Sequence, residues 1–228
     1  MGNTYGQVNT LTNVIYACDE EDGAVFEEGS LERAFFDQFY EEADALGLNY
    51  KYAGNTFGER AAYLEEHHDI LKFQVLEADM SFYFFGLGKV DYYQQSSMSD
   101  EMAGRMMQKL LPACFGQWLY DYVLLCRNGF VRSIAVVHPL INWAALVIYL
   151  AAAGISLYLM IAKRRFEAPL AMGVALLFIA ANVCATSITI MCLSRYMIYG
   201  FSIFYIAFYL VVRETYYQIK EHKQGKLL

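Results

Sequence analysis

Proline and charge are both scarce in this 228-residue chain. It has three prolines, and 18% of its residues are Asp, Glu, Lys or Arg, where a soluble globular chain carries about 25%. Three prolines beside sixteen glycines exclude a collagen-like or low-complexity chain. Positive charge is the scarcer sign, and a sequence pI near 5.1 argues against a nucleic-acid-binding protein. Motifs of soluble catalysis are missing: no Gly-rich phosphate-cradling loop, no Gly-x-Ser-x-Gly, no zinc-ligand spacing. No catalytic residue, resident metal or cofactor is therefore assigned. What the chain has in plenty is apolar surface. Hydrophobic residues make up 57% and aromatic ones 16%, which excludes disorder and shifts the chain toward the membrane class.

Charge divides the chain in two. Residues 1–133 carry 21 acidic and 9 basic side chains, a net of −12, whereas residues 134–228 carry 3 acidic and 8 basic ones, a net of +5. The basic half holds three uncharged runs: 30 residues from Ser133 to Ala162, 27 from Ala168 to Ser194, and 17 from Tyr196 to Val212. A transmembrane helix needs about 20 apolar residues to cross about 30 Å of hydrocarbon. Three spans are read near 138–162, 169–193 and 196–213, the first with a core of Leu140–Ile161 and the second opened by Pro169. The third is at the short end of the workable range.

Basic flanks set the sidedness. With three crossings, Lys163, Arg164, Arg165, Arg213, Lys220, Lys223 and Lys226 share one side and Arg127, Arg132 and Arg195 the other. Seven against three places the short loop and the C-terminal tail in the cytoplasm and residues 1–131 outside, in a multi-pass cell-membrane protein. Residues 1–30 contain no basic stretch followed by an apolar run, so no signal peptide is read there. Exporting the acidic half then calls for further spans ahead of Met1, and the chain is expected to be the C-terminal portion of a larger polytopic protein.

Within the acidic half, residues 13–18 (NVIYAC) are a short apolar run compatible with a strand, which leaves the half mostly helical or α+β. Ser30 as N-cap, Leu31, Phe35, Phe39 and Ala43 at i,i+4 spacing, and Gly47 as the stop predict a helix. Thr56-x-x-Glu59 reads as a capping box opening a second helix through about Leu71. Residues 73–85 are aromatic-rich and leave helix and strand open, and Ser96–Asp100 starts a helix that runs to Leu111. Near 113–130, Phe115, Trp118, Leu119, Tyr122, Val123 and Cys126 share one helical face, suited to the membrane interface or to packing on the acidic domain.

Three groups of residues are candidates for contact with a ligand. Glu65-Glu66-His67-His68-Asp69 gathers metal-ligand types, but neighbouring histidines on a helix point about 100° apart, so a solvated face is the simpler reading. Glu65, His68 and Asp69 remain candidates for contact with a cation or a sugar. Arg195, with Ser194 and Tyr196, stands between two apolar runs, where a guanidinium suits a lipid phosphate and equally suits a snorkelling turn. His138 before Pro139 is a lesser candidate, while Asn142, Asn182 and Ser187 read as interhelical hydrogen-bond partners. Cys184 and Cys192, eight apart in the second run, are separated by about 12 Å of helical rise and cannot form a disulfide there. Cys18, Cys114 and Cys126 are an odd number in the acidic half, and no pair is assigned.

The segment Asn182–Glu214 (NVCATSITIMCLSRYMIYGFSIFYIAFYLVVRE) resembles the closing membrane segment of bacterial polytopic proteins of the glycosyltransferase C superfamily, the protein mannosyltransferases and lipid A aminoarabinose transferases among them. The resemblance covers at most the last 95 residues, through a small-and-polar penultimate span, the Ser194-Arg195-Tyr196 turn and an aromatic final span. It implies sugar transfer from a polyprenyl-phosphate donor outside the cytoplasm. That superfamily keeps its catalytic carboxylate in a first outer loop that this chain lacks, so the chain alone is expected to be inactive and to offer lipid-phosphate contacts such as Arg195. The other expectation, of a different class, is a non-catalytic, membrane-anchored binding or assembly protein with the acidic half as its recognition domain.

Overall fold

A computed structural model describes residues 6–56, 58–88, 90–134, 138–192 and 194–224, without the side chains of 139, 145, 194, 195 and 222–224. Every regular element among these residues is helical. Two compact units divide the chain: residues 1–125 with 188–191, and residues 126–187 with 192–228.

The first unit is built round α1 (Gly6–Ala17), nine of whose twelve residues are buried. This helix replaces the strand expected at 13–18. Val14, Ile15 and Tyr16 favour strands in isolation, but with Val8 and Leu11 they belong to a helix buried on nearly every side, which packing against neighbours stabilises over local preference. Its two threonines are satisfied within the helix, their hydroxyls donating to the carbonyls four residues back at 3.1 and 2.9 Å. Buried Asn13 donates its amide to Ile188 O and Ile190 O at 3.2 and 3.3 Å.

α2 (Leu31–Ala45) follows the expected pattern. Ser30 Oγ accepts from Arg33 N at 3.2 Å, Phe35, Phe36, Phe39 and Ala43 turn inward, and Gly47 takes a positive φ of 69° after the last turn. α3 (Glu59–Ile70) runs without a break through a π-helical segment (Leu71–Leu76) into α4 (Glu77–Gly86), which resolves the aromatic stretch as helix. Only half of the expected capping box forms: Glu59 accepts from Thr56 N at 2.9 Å, while Gly58 holds the N-cap position.

α5 (Tyr92–Ala113) starts earlier than the sequence suggests. Asp91 and Gln94 form a reciprocal capping box at 2.8 and 3.2 Å, so Ser96 lies buried inside the helix instead of capping it. Pro112 is carried in the last turn, which closes with Cys114 N on Leu110 O. α6 (Phe115–Arg132) coincides closely with the amphipathic helix expected near 113–130. Its aromatic face is not packed away: Phe115, Leu119 and Val123 are exposed, and Trp118 stacks on Tyr122 with centroids 5.3 Å apart. Asp121, Leu124 and Leu125 point inward instead.

The second unit holds α7 (Pro139–Ala162), α8 (Glu167–Thr189), a single turn α9 (Ser194–Met197) and α10 (Tyr199–Gln224). Among the described residues two helices, not the three expected, are long and apolar enough to cross a membrane: Leu140–Ala162 and Glu167–Thr189. Only 24% and 33% of their apolar windows are buried, and Leu140, Ile161 and Leu177 are each more than 70% exposed. Apolar helices bare on this scale call for an apolar surrounding, and they suggest membrane association. The third expected span falls short because α9 and Ile198 interrupt the run before α10 begins. Only Tyr199–Val212 then precedes the Arg213-Glu214 pair, or about 21 Å of helix. The second span also ends early, at Thr189 and not near 193.

Small and aromatic side chains fill this unit. Tyr149, Ala152 and Leu159 of α7 meet a core that also contains Met172, Ala175, Ile179 and Val183 of α8 and Phe204, Ala207 and Val211 of α10. Tyr149 stacks on Phe204 at 5.7 Å. Beyond α7, Arg165 pairs with Glu214 at 3.5 Å and Glu221 at 3.8 Å, which fixes the end of α10 beside the α7–α8 loop.

Candidate functional site

The residues singled out from the sequence do not converge. His68 is wholly buried on α3, its Nδ1 3.3 Å from Asp69 Oδ1, and burial holds its imidazole below the usual pKa. Asp69 is largely exposed and Glu65 half-buried, so the three share no pocket, and no group of three or more metal-ligating side chains occurs among the described residues. His138 is the N-cap of α7, its Nδ1 accepting from Leu140 N at 3.3 Å with Pro139 at the first helical position. The side chains of Ser194 and Arg195 lie outside the described residues. Tyr196 is half-buried, and its carbonyl accepts from Asn182 Nδ2 at 2.9 Å, the kind of polar tie expected of Asn182. Ser187 instead lies 3.1 Å from Cys192 Sγ, and Cys192 stands beyond the end of α8 and not within it.

The first unit does contain a cleft, of about 670 Å³, whose wall includes Asp19, Asp22, Tyr50, Lys51, Arg60, Gln117 and Tyr120. Its centre is Arg60, on the first turn of α3. The guanidinium is bidentate to Asp121, with Nη2 at 2.8 Å from Oδ2, and also donates to Gln117 Oε1 at 2.8 Å. Tyr50 lies under it at 4.1 Å and Tyr120 at 5.3 Å from ring centroid to the guanidinium carbon. Asp121 is 2% exposed, and burial raises its carboxyl against the pull of Arg60. Tyr16 of α1 donates to Arg60 O at 2.9 Å, so the central helix also holds the arginine in place.

The acidic lip comes from a 3₁₀ turn (Glu20–Val25). Asp19 and Asp22 cap it reciprocally, with Asp19 N on Asp22 Oδ2 at 2.8 Å. The Tyr50 hydroxyl donates to Asp19 at 2.9 Å, and burial together with that bond moves the phenol up to about 12. Asn49 ties the two sides together, its amide donating to Cys18 O at 2.7 Å. Lys51 is held by Asp44 and by Tyr40 at 3.2 Å. Two carboxylates and two cations line the wall, and the cations are paired with Asp44 and Asp121 outside it.

No protein-family model, described protein or solved structure matches this chain. The cleft therefore stands on its own chemistry. Sequence reading missed it because its members are scattered from 19 to 121, and only the fold brings Arg60 to Asp121 across 61 positions. One signal was present: Asp121 is a lone acid on an otherwise aromatic and aliphatic helix (WLYDYVLL), and such a charge seeks a partner.

Proposed function

We propose that this is a membrane-anchored, non-catalytic binding protein whose acidic helical unit takes a neutral, hydroxyl-rich ligand of the saccharide class in the cleft around Arg60. The observation that carries the reading is that both cations of the cleft are already paired with carboxylates behind its wall. Arg60 is already saturated by Asp121 and Gln117, and Lys51 by Asp44 and Tyr40, so neither is free to capture a strong anion. Asp19 and Asp22 supply acceptors, Asn55, Thr56 and Gln117 supply amide and hydroxyl groups, and the half-exposed ring of Tyr120 offers an apolar face. Convergent polar groups around an aromatic floor suit hydroxyls together with the C–H face of a sugar ring.

The anchor is the α7–α8 pair, with α10 alongside it as a third, less apolar helix. The Arg165–Glu214 pair supports a C-terminal tail on the same side as the Lys163-Arg164-Arg165 loop. Charge bias then favours the cytoplasm for both and the opposite side for the acidic unit. The likeness to glycosyltransferase C proteins supports an alternative: a polyprenyl-phosphate-dependent transferase in which Arg195 contacts the lipid phosphate.

Titration of the full chain in detergent with a panel of neutral oligosaccharides tests the first reading, with anionic sugars as controls. Saturable binding to a neutral member, abolished by Tyr120→Ala and weakened at least tenfold by Asp22→Ala, is expected. Absence of binding across the panel, or binding only to the anionic controls, overturns it.

A further inference from the structure

Two of the five cysteines lie together in the first unit, 96 positions apart in the chain. Cys18 is the first residue past α1, and Cys114 closes α5, the helix α1 packs on. Cys18 is wholly buried and Cys114 is 4% exposed. Cys114 lies near enough to raise the Cys18 thiol, and burial raises it further. Cys114 Sγ also lies 3.9 Å from Val14 O, the carbonyl one helical turn before Cys18. Both are free thiols, and Cys114 alone reaches the wall of the cleft.

We propose that Cys18 and Cys114 form a reversible dithiol–disulfide pair whose oxidation ties the end of α1 to the end of α5 behind the cleft. A low-molecular-weight disulfide is the oxidant, entering through the cleft. Cys114 loses its proton and its sulfur attacks one sulfur of that disulfide, whose S–S bond breaks and releases one thiol, leaving a mixed disulfide on Cys114. Cys18 then loses its proton and attacks the Cys114 sulfur, and the second thiol departs with the electron pair of the broken bond. Two protein thiols are oxidised, one disulfide is reduced to two thiols, and the two protons leave on those thiols. The second step is the slow one, because Cys18 is wholly buried and burial disfavours its thiolate. Asp19 follows Cys18 directly and holds the Tyr50 hydroxyl, so the cross-link also fixes the acidic lip of the cleft. None of this depends on what the cleft binds.

The measurement is made on the full chain in detergent, equilibrated with oxidised glutathione, quenched with acid and alkylated after denaturation. Tryptic cleavage leaves Cys18 within residues 1–33 and Cys114 within residues 110–127, beside Cys126. The variant Cys126→Ser therefore makes any cross-link between those peptides unambiguous. The expected result is one cross-linked peptide pair, loss of two alkylatable thiols, and a melting temperature several degrees higher that dithiothreitol reverses. Neither Cys18→Ser nor Cys114→Ser gives the cross-link or the shift. Full alkylation of both thiols after oxidation, or a cross-link from Cys18 to another cysteine, overturns the proposal.

Discussion

Asp121 and Arg60 show what a buried ion pair demands of its neighbours. Asp121 keeps 3% of its side-chain surface and Arg60 13%, and the guanidinium has two further acceptors in Gln117. Removing one partner strands the other without water, at a cost of about 3–5 kcal/mol, whereas replacing both with apolar residues of like volume is close to neutral. Asp121→Ala is thus expected to lower the melting temperature sharply, and Arg60→Met with Asp121→Leu to restore most of it. Asp79 and His68 set pH dependence of opposite sign. Burial, with the charge of Glu42 second, raises the Asp79 carboxyl to about 6. The unfolded chain releases that proton near 3.8, so stability falls as pH rises through roughly 4 to 6. Asp79→Asn is expected to raise the melting temperature at about pH 7 and to have no such effect at about pH 4. For His68 the folded pKa is depressed by burial, so stability is lost as pH falls below the unfolded value of 6.5. His68→Leu removes that part of the acid-side slope in melts taken from about pH 7 to 5.

Elements differed in how openly they declared themselves. α2 is legible because half of it meets water: Glu32, Asp37, Glu41 and Glu42 alternate with the Phe35–Phe39 stripe at helical period, between a serine cap and a glycine stop. α1 hides its period because it is buried on nearly all sides, with Thr10, Thr12 and Asn13 inside beside Val8 and Leu11, so no polar face marks the repeat. α5 shifts by four residues because Asp91 offers a better cap than Ser96, which is drawn inside, buried one turn from Ser99. Glycine sets a close helix approach at Gly129. A Cβ on Gly129 of α6 would sit 2.5 Å from Cys192 Sγ and 2.8 Å from Val183 Cγ1, whereas one on Gly154 of α7 meets nothing within 4 Å. Gly129→Ala is expected to cost about 1–3 kcal/mol through overpacking. Gly154→Ala gains up to about 1 kcal/mol from helix propensity. Paired thermal melts in detergent check both.

At the scale of the whole molecule, the contrast between the two units carries the argument. The first unit buries Phe35, Phe36, Phe39, Met80, Met102 and Met106 in a core of its own, while α7 and α8 leave most of their apolar windows unburied. Surface of that kind does not stay dispersed in water. The chain is expected to remain with membranes through alkaline carbonate washing and to aggregate when detergent is removed. A monodisperse particle in plain buffer would refute the membrane reading. On the proposed sidedness a cytoplasmic reporter fused after Leu228 is expected to be active, because charge bias puts the α7–α8 loop in the cytoplasm and Arg165 ties α10 to that loop.

Composition and run length alone determined the long apolar helices and their division from an acidic half, because both follow from how much apolar surface a stretch carries and where its charges lie. The stop at two helices long and apolar enough to span, the helical state of α1, the Arg60 cleft and the approach of Cys114 to the end of α1 were decided by tertiary structure. Each depends on which distant residues the packing brings within a few ångströms, and neither periodicity nor hydropathy encodes that distance.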